Sequence, residues 1–247
     1  MSVVTQRTTD AFGTALLDWV KGGTIPETIQ RDDGYVEEGA GPDAYLAMLA
    51  AWPAAERRSL RHVRGRVADV GCGAGRVSLV LQERGFEVVG IDESPLAVRA
   101  AGIFGVTSAR CTSASALSRE IDAFDSIVLF GNNFGIFGTP ERATRLLSRW
   151  ARNVKPGTRL LAESTSAYGG GAPITDRGYY RRNKELGLAP GHTRLRIRYH
   201  DVTGPWINWL FVSRAEMERV VRGTGWRILH VLGDGSAEPY VAVMERR

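Results

Sequence analysis

The sequence predicts an α/β fold in which a doubly wound sheet of seven strands, mostly parallel, closes with an antiparallel pair of strands. Two observations favour it. Short apolar runs alternate with helical segments over residues 66–165, an order typical of parallel strands joined by helices. The last two apolar runs, 226–233 and 240–246, follow each other with only a turn between them, which predicts an antiparallel pair. We also expect an N-terminal helical lid and a β-rich insertion.

The segment before the sheet predicts two helices. Apolar residues at helical spacing indicate a helix over residues 8–21. Residues 22–42 are rich in glycine and charge, which is typical of a loop. Residues 43–62 indicate a second helix, with Asp43 as its N-cap and a break at Pro53. We expect the first helix and the loop around Tyr35 to form the lid.

The regular part of the chain alternates strands with helices. The predicted strands are 66–70, 86–92, 124–131 and 158–165, and the predicted helices are 75–85, 94–105 and 139–155. The last two helices begin with a capping residue followed by proline, at Ser94-Pro95 and Thr139-Pro140.

The alternation ends near residue 166. The runs 194–202 and 206–212 alternate polar with apolar residues, as antiparallel strands do. Residues 213–226 predict a helix with a capping box of Ser213 and Glu216. We therefore expect residues 1–247 to form one domain, divided into an N-terminal helical cap, a cofactor-binding half, a substrate-side insertion, and a closing helix with strands. These parts are residues 1–62, 63–165, 166–212 and 213–247.

The composition narrows the class of protein. Hydrophobic residues make up 43% of the 247 residues, enough for a sizeable core. No apolar run reaches the roughly 18 residues of a membrane span, and the polar start MSVVTQRTTD lacks the apolar stretch of a signal peptide. Cys72 and Cys111 do not make a disulfide framework, so we expect a cytoplasmic protein.

Charge and histidine content argue against two classes of site. The net charge of +5 is spread along the chain with acids interleaved, which favours a nucleic-acid partner only weakly. The four histidines have no ligand spacing with each other or with the cysteines, so we expect no metal.

The run VADVGCGAGR places three glycines directly after a predicted strand and before a predicted helix. This layout is typical of nucleotide binding, because glycines let the backbone approach a ligand and the helix N-terminus supplies N–H donors. A phosphate-binding P-loop requires a lysine after the glycines, and none follows here. A dinucleotide site requires a third glycine where Arg76 stands. What remains is a GxGxG turn that Asp69 precedes.

These residues resemble motif I of the class I S-adenosylmethionine-dependent methyltransferases, which have a Rossmann-like fold. The resemblance continues in VVGIDES, FDSIVLFGNNFG and VKPGTRLLAES, and in the antiparallel ending, so that it covers about residues 64–165 and 213–246. It implies that the cofactor is S-adenosylmethionine and the product S-adenosylhomocysteine. It also implies that Asp92 accepts hydrogen bonds from both ribose hydroxyls, and that Asp69 reaches the methionine amino group.

The resemblance implies a set of cofactor-binding residues along three strand ends. Ser113 stands where many relatives carry an acid that meets the adenine, so Ser113 and Ala114 are expected to contact the adenine through the backbone. The full expected set is Asp69, Gly71, Cys72, Gly73, Gly75, Asp92, Glu93, Ser113, Ala114, Phe130, Gly131 and Asn132.

The acceptor site is expected among polar and aromatic residues that follow the strands. Methyl transfer from a sulfonium requires alignment and exclusion of water more than a catalytic triad, and none is present in the sequence. GNNF resembles a segment of glycine N-methyltransferase relatives that act on small amines, and the [DNS]-P-P-[YF] signature of base methylation is absent. The expected catalytic residues are Asn133, His200 and Tyr168. The expected acceptor-binding residues are Tyr35, Asn133, Phe134, Tyr168, Tyr179, His200, Trp206 and Trp209.

Basic residues concentrate in the predicted insertion. Arg194, Arg196 and Arg198 alternate along one predicted strand, so they share one face. That face is either a solvated surface or a groove for phosphate or carboxylate groups.

We expect a methyltransferase that acts at an N, O or C atom of a small organic acceptor, such as an aromatic or amine-bearing natural product of secondary metabolism. We expect neither nucleic acid nor membrane as a partner. Two alternatives stay open: an RNA or DNA methyltransferase that uses residues 177–198, and a non-catalytic regulatory protein that binds S-adenosylmethionine.

Overall fold

The computed structural model describes residues 9–119, 121–168, 177–234 and 238–247. Its helices are α1 (Ala11–Trp19), α2 (Gly41–Tyr45), α3 (Ala54–Ser59), α4 (Arg76–Glu83), α5 (Pro95–Phe104), α6 (Pro140–Asn153), α7 (Arg177–Glu185) and α8 (Arg214–Val221). Its strands are β1 (Thr28–Arg31), β2 (Val36–Glu38), β3 (Val67–Val70), β4 (Val88–Asp92), β5 (Ala109–Cys111), β6 (Ser126–Leu129), β7 (Arg159–Ser164), β8 (His192–Tyr199), β9 (Val202–Thr203), β10 (Ile207–Leu210), β11 (Trp226–Leu232) and β12 (Tyr240–Arg246).

The main sheet has seven strands in the order β11-β12-β7-β6-β3-β4-β5. The five strands β7, β6, β3, β4 and β5 are parallel to their neighbours in this order. Strand β12 runs antiparallel to both β7 and β11. The predicted fold class is therefore confirmed. From β3 the chain continues to β4 and β5 on one side of the sheet, and then crosses over to β6 and β7 on the other side of β3. The carboxyl ends of β3, β4 and β6 therefore border one crevice, where ligands of such sheets bind.

Burial of the central strands explains their apolar sequences. Every residue of β3 and β6 is buried, as expected for parallel strands that are covered on both faces. One face packs against α6 and α8, with Trp150 and Trp226 in its core. The other packs against α3 and α4, around Trp52 and Leu81.

Three helix starts were predicted from their capping residues, and all three are confirmed. The Ser94 side chain accepts a hydrogen bond from the Ala97 amide at the start of α5. Thr139 caps α6 in the same way. Ser213 and Glu216 form the complete capping box of α8.

The prediction that residues 22–42 form a loop is wrong. β1 and β2 lie in this segment, and β1 pairs antiparallel with both β2 and β8. Together with β9 and β10 they form a second sheet in the order β10-β8-β1-β2, with β9 beside β8. β1 forms because it pairs with a strand far away along the chain, and a local pattern of glycine and charge carries no signal of such a partner.

The prediction of one helix over residues 43–62 is also corrected. The segment contains α2, α3 and two short 3-10 helices, Leu49–Ala51 and Leu60–His62. Asp43 lies within the first turn of α2, whose N-cap is Ala40. Pro53 begins α3 as its N-cap, because proline lacks the N–H that a continuous helix requires there.

The insertion contains a helix in addition to the predicted strands. β8 and β10 confirm the antiparallel prediction, and α7 precedes them. Residues 169–176 of this insertion lie outside the described residues. Within the described ranges, no helix is long and apolar enough to cross a membrane.

Candidate functional site

The glycine turn at the end of β3 adopts a backbone that ordinary residues rarely reach. Gly71, Gly73 and Gly75 have φ values of +75°, +55° and +91°, in the left-handed region that favours glycine. A Cβ at Gly75 would collide with the Val106 side chain. The three glycines are therefore required by geometry at this turn, which leads directly into α4.

Asp92 ends β4 beside this turn. Its Oδ2 accepts a hydrogen bond from the Gly73 amide (3.0 Å), and its Oδ1 accepts one from the Ser94 amide (2.9 Å). Burial raises the pKa of the carboxyl group. A carboxylate has about four acceptor positions, so each oxygen can also accept a hydrogen bond from a hydroxyl group of a ligand.

Asp69 and Cys72 lie beneath the turn. The Asp69 Oδ2 accepts a hydrogen bond from the Ser78 hydroxyl of α4 (2.7 Å), and burial raises the pKa of Asp69 to about 6. Burial also raises the pKa of the Cys72 thiol. Asp69 thus joins β3 to α4, and its expected contact with a methionine amino group stays a prediction.

The loop after β6 forms the opposite border of the crevice. Asn132 has a positive φ of 60°, and its Oδ1 accepts a hydrogen bond from the Thr165 hydroxyl (2.6 Å). The Asn133 amide donates to the carbonyl oxygens of Val70 (3.1 Å) and Gly71 (2.8 Å). Asn133 therefore ties this loop to the glycine turn, while its expected role in catalysis stays a prediction.

A buried group of two acids and one arginine lies behind this loop. The Arg76 guanidinium donates to both carboxylate oxygens of Glu56, at 2.8 and 2.6 Å, and stacks over Trp52 at 4.6 Å. Glu163 is fully buried at the carboxyl end of β7. Its oxygens accept hydrogen bonds from the amides of Gly131 (2.9 Å) and Asn132 (3.2 Å). The acid pair holds the backbone of the loop in its left-handed conformation.

The carboxyl groups of Glu56 and Glu163 lie next to each other, so a proton on one of them stabilises the pair. Burial, followed by the charge of Glu56, raises the pKa of Glu163 well above its usual range. Burial opposes ionisation of Glu56 as well, but the hydrogen bonds from Arg76, Glu163 and the Gly131 amide, together with the charge of Arg76, outweigh it and lower that pKa. Glu163 is therefore the protonated partner.

The sequence prediction missed this group. An acid inside a buried strand was a usable signal, because ionisable side chains are rarely fully buried unless they are paired. Glu56 carried no such signal, since nothing in the sequence around it marked its helix as buried.

Helix α1 lies over the glycine turn, as the predicted lid requires. A Cβ built on Gly73 would meet only the Leu16 side chain, at 3.6 Å. The Asp10 side chain accepts hydrogen bonds from the Gly13 amide (2.8 Å) and from the Ser94 hydroxyl. The cap of α1 is thus bonded to the cap of α5, directly after Asp92. Movement of α1 on binding stays a prediction.

The other expected cofactor residues have varied surroundings. Glu93 is exposed. The Ser113 hydroxyl accepts from the Ala116 amide (3.2 Å), and the Ala114 carbonyl accepts from the Trp150 indole (3.3 Å). Phe130 packs in the core beneath the sheet, so only its backbone borders the crevice.

Several expected acceptor residues lie apart from the glycine turn. The Tyr168 hydroxyl donates to Glu216 on α8 (2.9 Å), and burial and this bond raise its pKa to about 12. Tyr35 bonds to Glu37 on the exposed β1–β2 hairpin. His200 is exposed at the turn after β8, with a positive φ of 51°. Their roles with an acceptor stay predictions.

The remaining aromatic residues divide between the core and the second sheet. Phe134 is fully buried, edge-on to Phe137. Trp209 packs against Gly135 in the loop after β6. Tyr179 and Trp206 border a separate cavity next to α7. The expected acceptor residues therefore do not converge on one pocket in this structure.

The crevice fits an adenosine-containing ligand. The glycine turn presents backbone without side chains, the start of α4 supplies amide donors, and Asp92 supplies acceptors for two neighbouring hydroxyl groups. Ser113 and Ala114 follow β5, which pairs with β4, and their expected contact with the adenine stays a prediction.

Comparison with known proteins supports this geometry. A family model described as a methyltransferase domain matches residues 67–157. The structure is similar to an S-adenosylmethionine-dependent methyltransferase from Bacteroides fragilis in complex with S-adenosylhomocysteine, with a TM-score of 0.77 and 24% identity over 96% of this chain and 94% of that one. A Methanosarcina mazei S-adenosylmethionine-dependent methyltransferase matches with a TM-score of 0.59 and 19% identity, covering 76% of this chain and 95% of that one.

One curated relative is similar in sequence. It is a glycine/sarcosine/dimethylglycine N-methyltransferase from Actinopolyspora halophila, 25% identical over 206 residues. The match covers 73% of this chain and 36% of the relative, so the chain spans about a third of that relative's length.

Proposed function

We propose that this chain, which contains a class I S-adenosylmethionine-dependent methyltransferase domain, is an enzyme. It transfers the methyl group of S-adenosylmethionine to a small organic acceptor that carries an amine. The observation that carries the proposal is the Asp92 carboxylate, bonded to the Gly73 amide at the open glycine turn. The family resemblance predicted from motif I is confirmed by the matched domain and by neighbours of the same fold.

The cofactor is S-adenosylmethionine. The relatives from Bacteroides fragilis and Micromonospora echinaspora were crystallised with S-adenosylhomocysteine or S-adenosylmethionine. In this chain Asp92 accepts the ribose hydroxyl groups, Gly71 to Gly75 border the methionine portion, and the backbone after β5 borders the adenine.

The bound cofactor supplies an electrophilic methyl group on a sulfonium, so the protein has to align the acceptor and exclude water. Leu16 of α1 covers the turn. Asn133 holds the loop after β6 against the turn, and Glu163 holds the backbone of Gly131 and Asn132. These contacts fix the border of the crevice beside which the acceptor must lie.

An amine acceptor is supported by sequence more than by the pocket. The GNNF segment forms the loop that borders the crevice, and the curated relative is named as an N-methyltransferase of glycine and its methylated derivatives. Structural neighbours include proteins named as an amino pentose methyltransferase and a didemethyltoxoflavin N1-methyltransferase; at their low identity they support the fold alone. A neutral amine is itself a nucleophile, so a strong general base is required only if it arrives protonated.

The cap and the insertion belong to the same unit as the sheet in this proposal. β1 from the segment 1–62 pairs with β8 from the segment 166–212, so neither can form its sheet alone. The closing strand β12 pairs with β7 of the cofactor half.

The test is methyl transfer from radiolabelled S-adenosylmethionine. The full chain is incubated with separate pools of small primary and secondary amines, phenols and total RNA, and the label is traced by chromatography. We expect label in an amine pool, and at subsaturating cofactor we expect Asp92→Ala to decrease it by at least about 10-fold, while the exposed neighbour change Glu93→Ala leaves it unchanged.

Label that appears only in phenols would contradict the amine, and label only in RNA would contradict the small acceptor. Cofactor binding without transfer to any pool or to a cell extract would favour a regulatory protein.

A further inference from the structure

A second cavity lies away from the glycine turn. It has a volume of about 380 Å³ and is bordered by α7 and by the second sheet, within the usual range for sites of small molecules. Its walls include Asn183 of α7, His192 and Arg194 of β8, and Trp206 just before β10. None of the expected cofactor residues borders it.

The second sheet separates this cavity from the crevice. Successive side chains of a strand point to opposite faces, so His192 and Arg194 point away from Thr193. Thr193 is opposite Trp209 in the register of β8 and β10, and Trp209 packs against Gly135 beside the crevice. The cavity is therefore on the outer face of the sheet.

The charge of the cavity favours an anion. Asp32, its acid, already accepts hydrogen bonds from the Tyr179 hydroxyl (2.7 Å) and from two nitrogens of Arg182 (3.0 and 3.1 Å). Among the described residues, the Arg194 guanidinium forms no ion pair. Two arginines, Arg182 and Arg194, and one acid, Asp32, border the cavity, so its lining carries a net positive charge.

An aromatic surface lies next to this charge. The Trp206 ring is 36% exposed, an unusual exposure for a large aromatic side chain. The guanidinium carbons of Arg194 and Arg196 lie 5.7 and 4.6 Å from its centroid. A planar ring with an anionic group can lie against Trp206 while the anion meets Arg194.

Two buried polar atoms in the wall lack partners. The Asn183 amide nitrogen donates to the carbonyl oxygens of Pro190 (2.9 Å) and His192 (2.6 Å), which fixes its orientation. Its Oδ1, and the Nδ1 of His192, are buried without a hydrogen-bond partner. Both atoms are shielded from solvent, so they lie inside the wall and do not face a ligand in the cavity.

We propose that this cavity is a second binding site that takes a small aromatic anion, carrying a carboxylate or a phosphate. The site is distinct from the methyl-transfer crevice, and it assigns Arg194 to anion recognition and Trp206 to ring stacking. The arginines of β8 therefore differ in their surroundings, because Arg194 borders the cavity and Arg198 does not.

The test is titration calorimetry of the full chain with benzoate and with phenyl phosphate, which share the aromatic ring and differ in the anionic group. Cyclohexanecarboxylate lacks the aromatic ring, and benzyl alcohol lacks the anion. We expect saturable binding of at least one aromatic anion, with at least about 10-fold weaker binding for the alcohol and for cyclohexanecarboxylate, since charge-assisted contacts and stacking are lost.

Two variants and one matched control locate the site. Arg194→Gln and Trp206→Leu should each weaken binding about 10-fold, while Arg198→Gln, on the same face of the same strand, changes it less than twofold. Affinity for S-adenosylhomocysteine should stay the same in all three variants, and this ligand should not compete with the aromatic anion.

The proposal would be overturned if neither anion showed saturable binding at concentrations up to about 10 mM, because an affinity weaker than that is negligible. Competition with S-adenosylhomocysteine would overturn it too, because the anion would then occupy the crevice. Equal losses in Arg194→Gln and Arg198→Gln, together with tight RNA binding, would instead identify the face as a nucleic-acid surface.

Discussion

Single residues at strand ends determine what the crevice can bind. Asp92 is partly buried, and one of its oxygens accepts a hydrogen bond from the Gly73 amide of the turn. The turn itself exists because three glycines adopt positive φ values. Glu163 acts on the same crevice from behind, since it bonds to the backbone of Gly131 and Asn132. The two acids therefore have different tasks, one toward the ligand and one toward the loop.

Replacing Asp92 with alanine should weaken binding of S-adenosylhomocysteine. Each lost charge-assisted hydrogen bond corresponds to about 1.5–3 kcal/mol, so a decrease of at least about 10-fold in affinity is expected. Calorimetry measures it, and circular dichroism checks that the variant is folded. The exposed neighbour change Glu93→Ala is the control. Unchanged affinity in Asp92→Ala would remove the assignment of the ribose site.

Replacing Glu163 with glutamine should make stability less dependent on pH. The pKa of Glu163 in the folded protein is raised above its ordinary value of 4.5, so unfolding releases its proton at any pH between the ordinary and the raised pKa. The stability that Glu163 contributes is complete below pH 4.5 and is lost as the pH rises toward its folded-state pKa. The amide of glutamine keeps a donor toward Glu56 without a proton to lose.

Urea unfolding at a series of pH values measures this effect. Above pH 4.5, the free energy of unfolding should fall less steeply in Glu163→Gln than in the wild type, by up to about 1.4 kcal/mol per pH unit. Glu87→Gln, at an exposed acid, is the matched control. Identical slopes in wild type and Glu163→Gln would mean that Glu163 is ionised in the folded protein.

Helix α1 is the element most directly placed to control access to the crevice. It packs against α5 and covers Gly73 through Leu16, while its N-cap is bonded to Ser94. Trp19 stacks on Tyr45 of α2, with ring centroids 5.4 Å apart. Helices α1 and α2 therefore pack together as one unit.

Binding of the cofactor should slow amide exchange in this cap. A ligand beneath α1 adds contacts to Leu16 and to the Asp10–Ser94 link, and lids become ordered when their ligand binds. Hydrogen-exchange mass spectrometry with and without S-adenosylhomocysteine should show protection over residues 9–45. Helix α8, on the other side of the sheet, is the internal control. Equal exchange in the cap in both conditions would mean that it is not a lid.

At the scale of the whole molecule, the two sheets divide the surface into a crevice and an outer basic face. Arg194, Arg196 and Arg198 lie on the outer face of β8, and β1 places Gln30 opposite Arg196. The Arg196 guanidinium donates to Gln30 (2.9 Å). Part of the positive charge is therefore already engaged within the sheet and is not directed at the crevice.

Methyl transfer should accordingly respond little to salt. A substrate held by six or more phosphate contacts loses on the order of 10³-fold in affinity between about 50 and 200 mM salt. For a small acceptor we expect kcat/KM to change less than about twofold over that range, where screening acts only on exposed charges. The double variant Arg196→Gln, Arg198→Gln should keep this activity. A steep salt dependence that the double variant removes would favour a nucleic-acid substrate.

The sequence by itself determined the features that arise from local chemistry. The glycine turn, the acid at the end of β4 and the caps Ser94, Thr139 and Ser213 act within a few residues of their own position. Backbone φ values and the unpaired amides of a helix start are satisfied locally, so their residue types are readable in order along the chain. The same holds for the buried apolar strands of the main sheet.

Only the tertiary structure decided the contacts between distant segments. β1 was predicted as loop because its partner β8 lies in the insertion, and strand pairing is a property of both strands. Glu56, Arg76 and Glu163 come from three separate elements, so no spacing in the sequence links them. The cavity beside Trp206 likewise exists only where α7 meets β8 and β10, because burial and charge compensation depend on neighbours that the fold brings together.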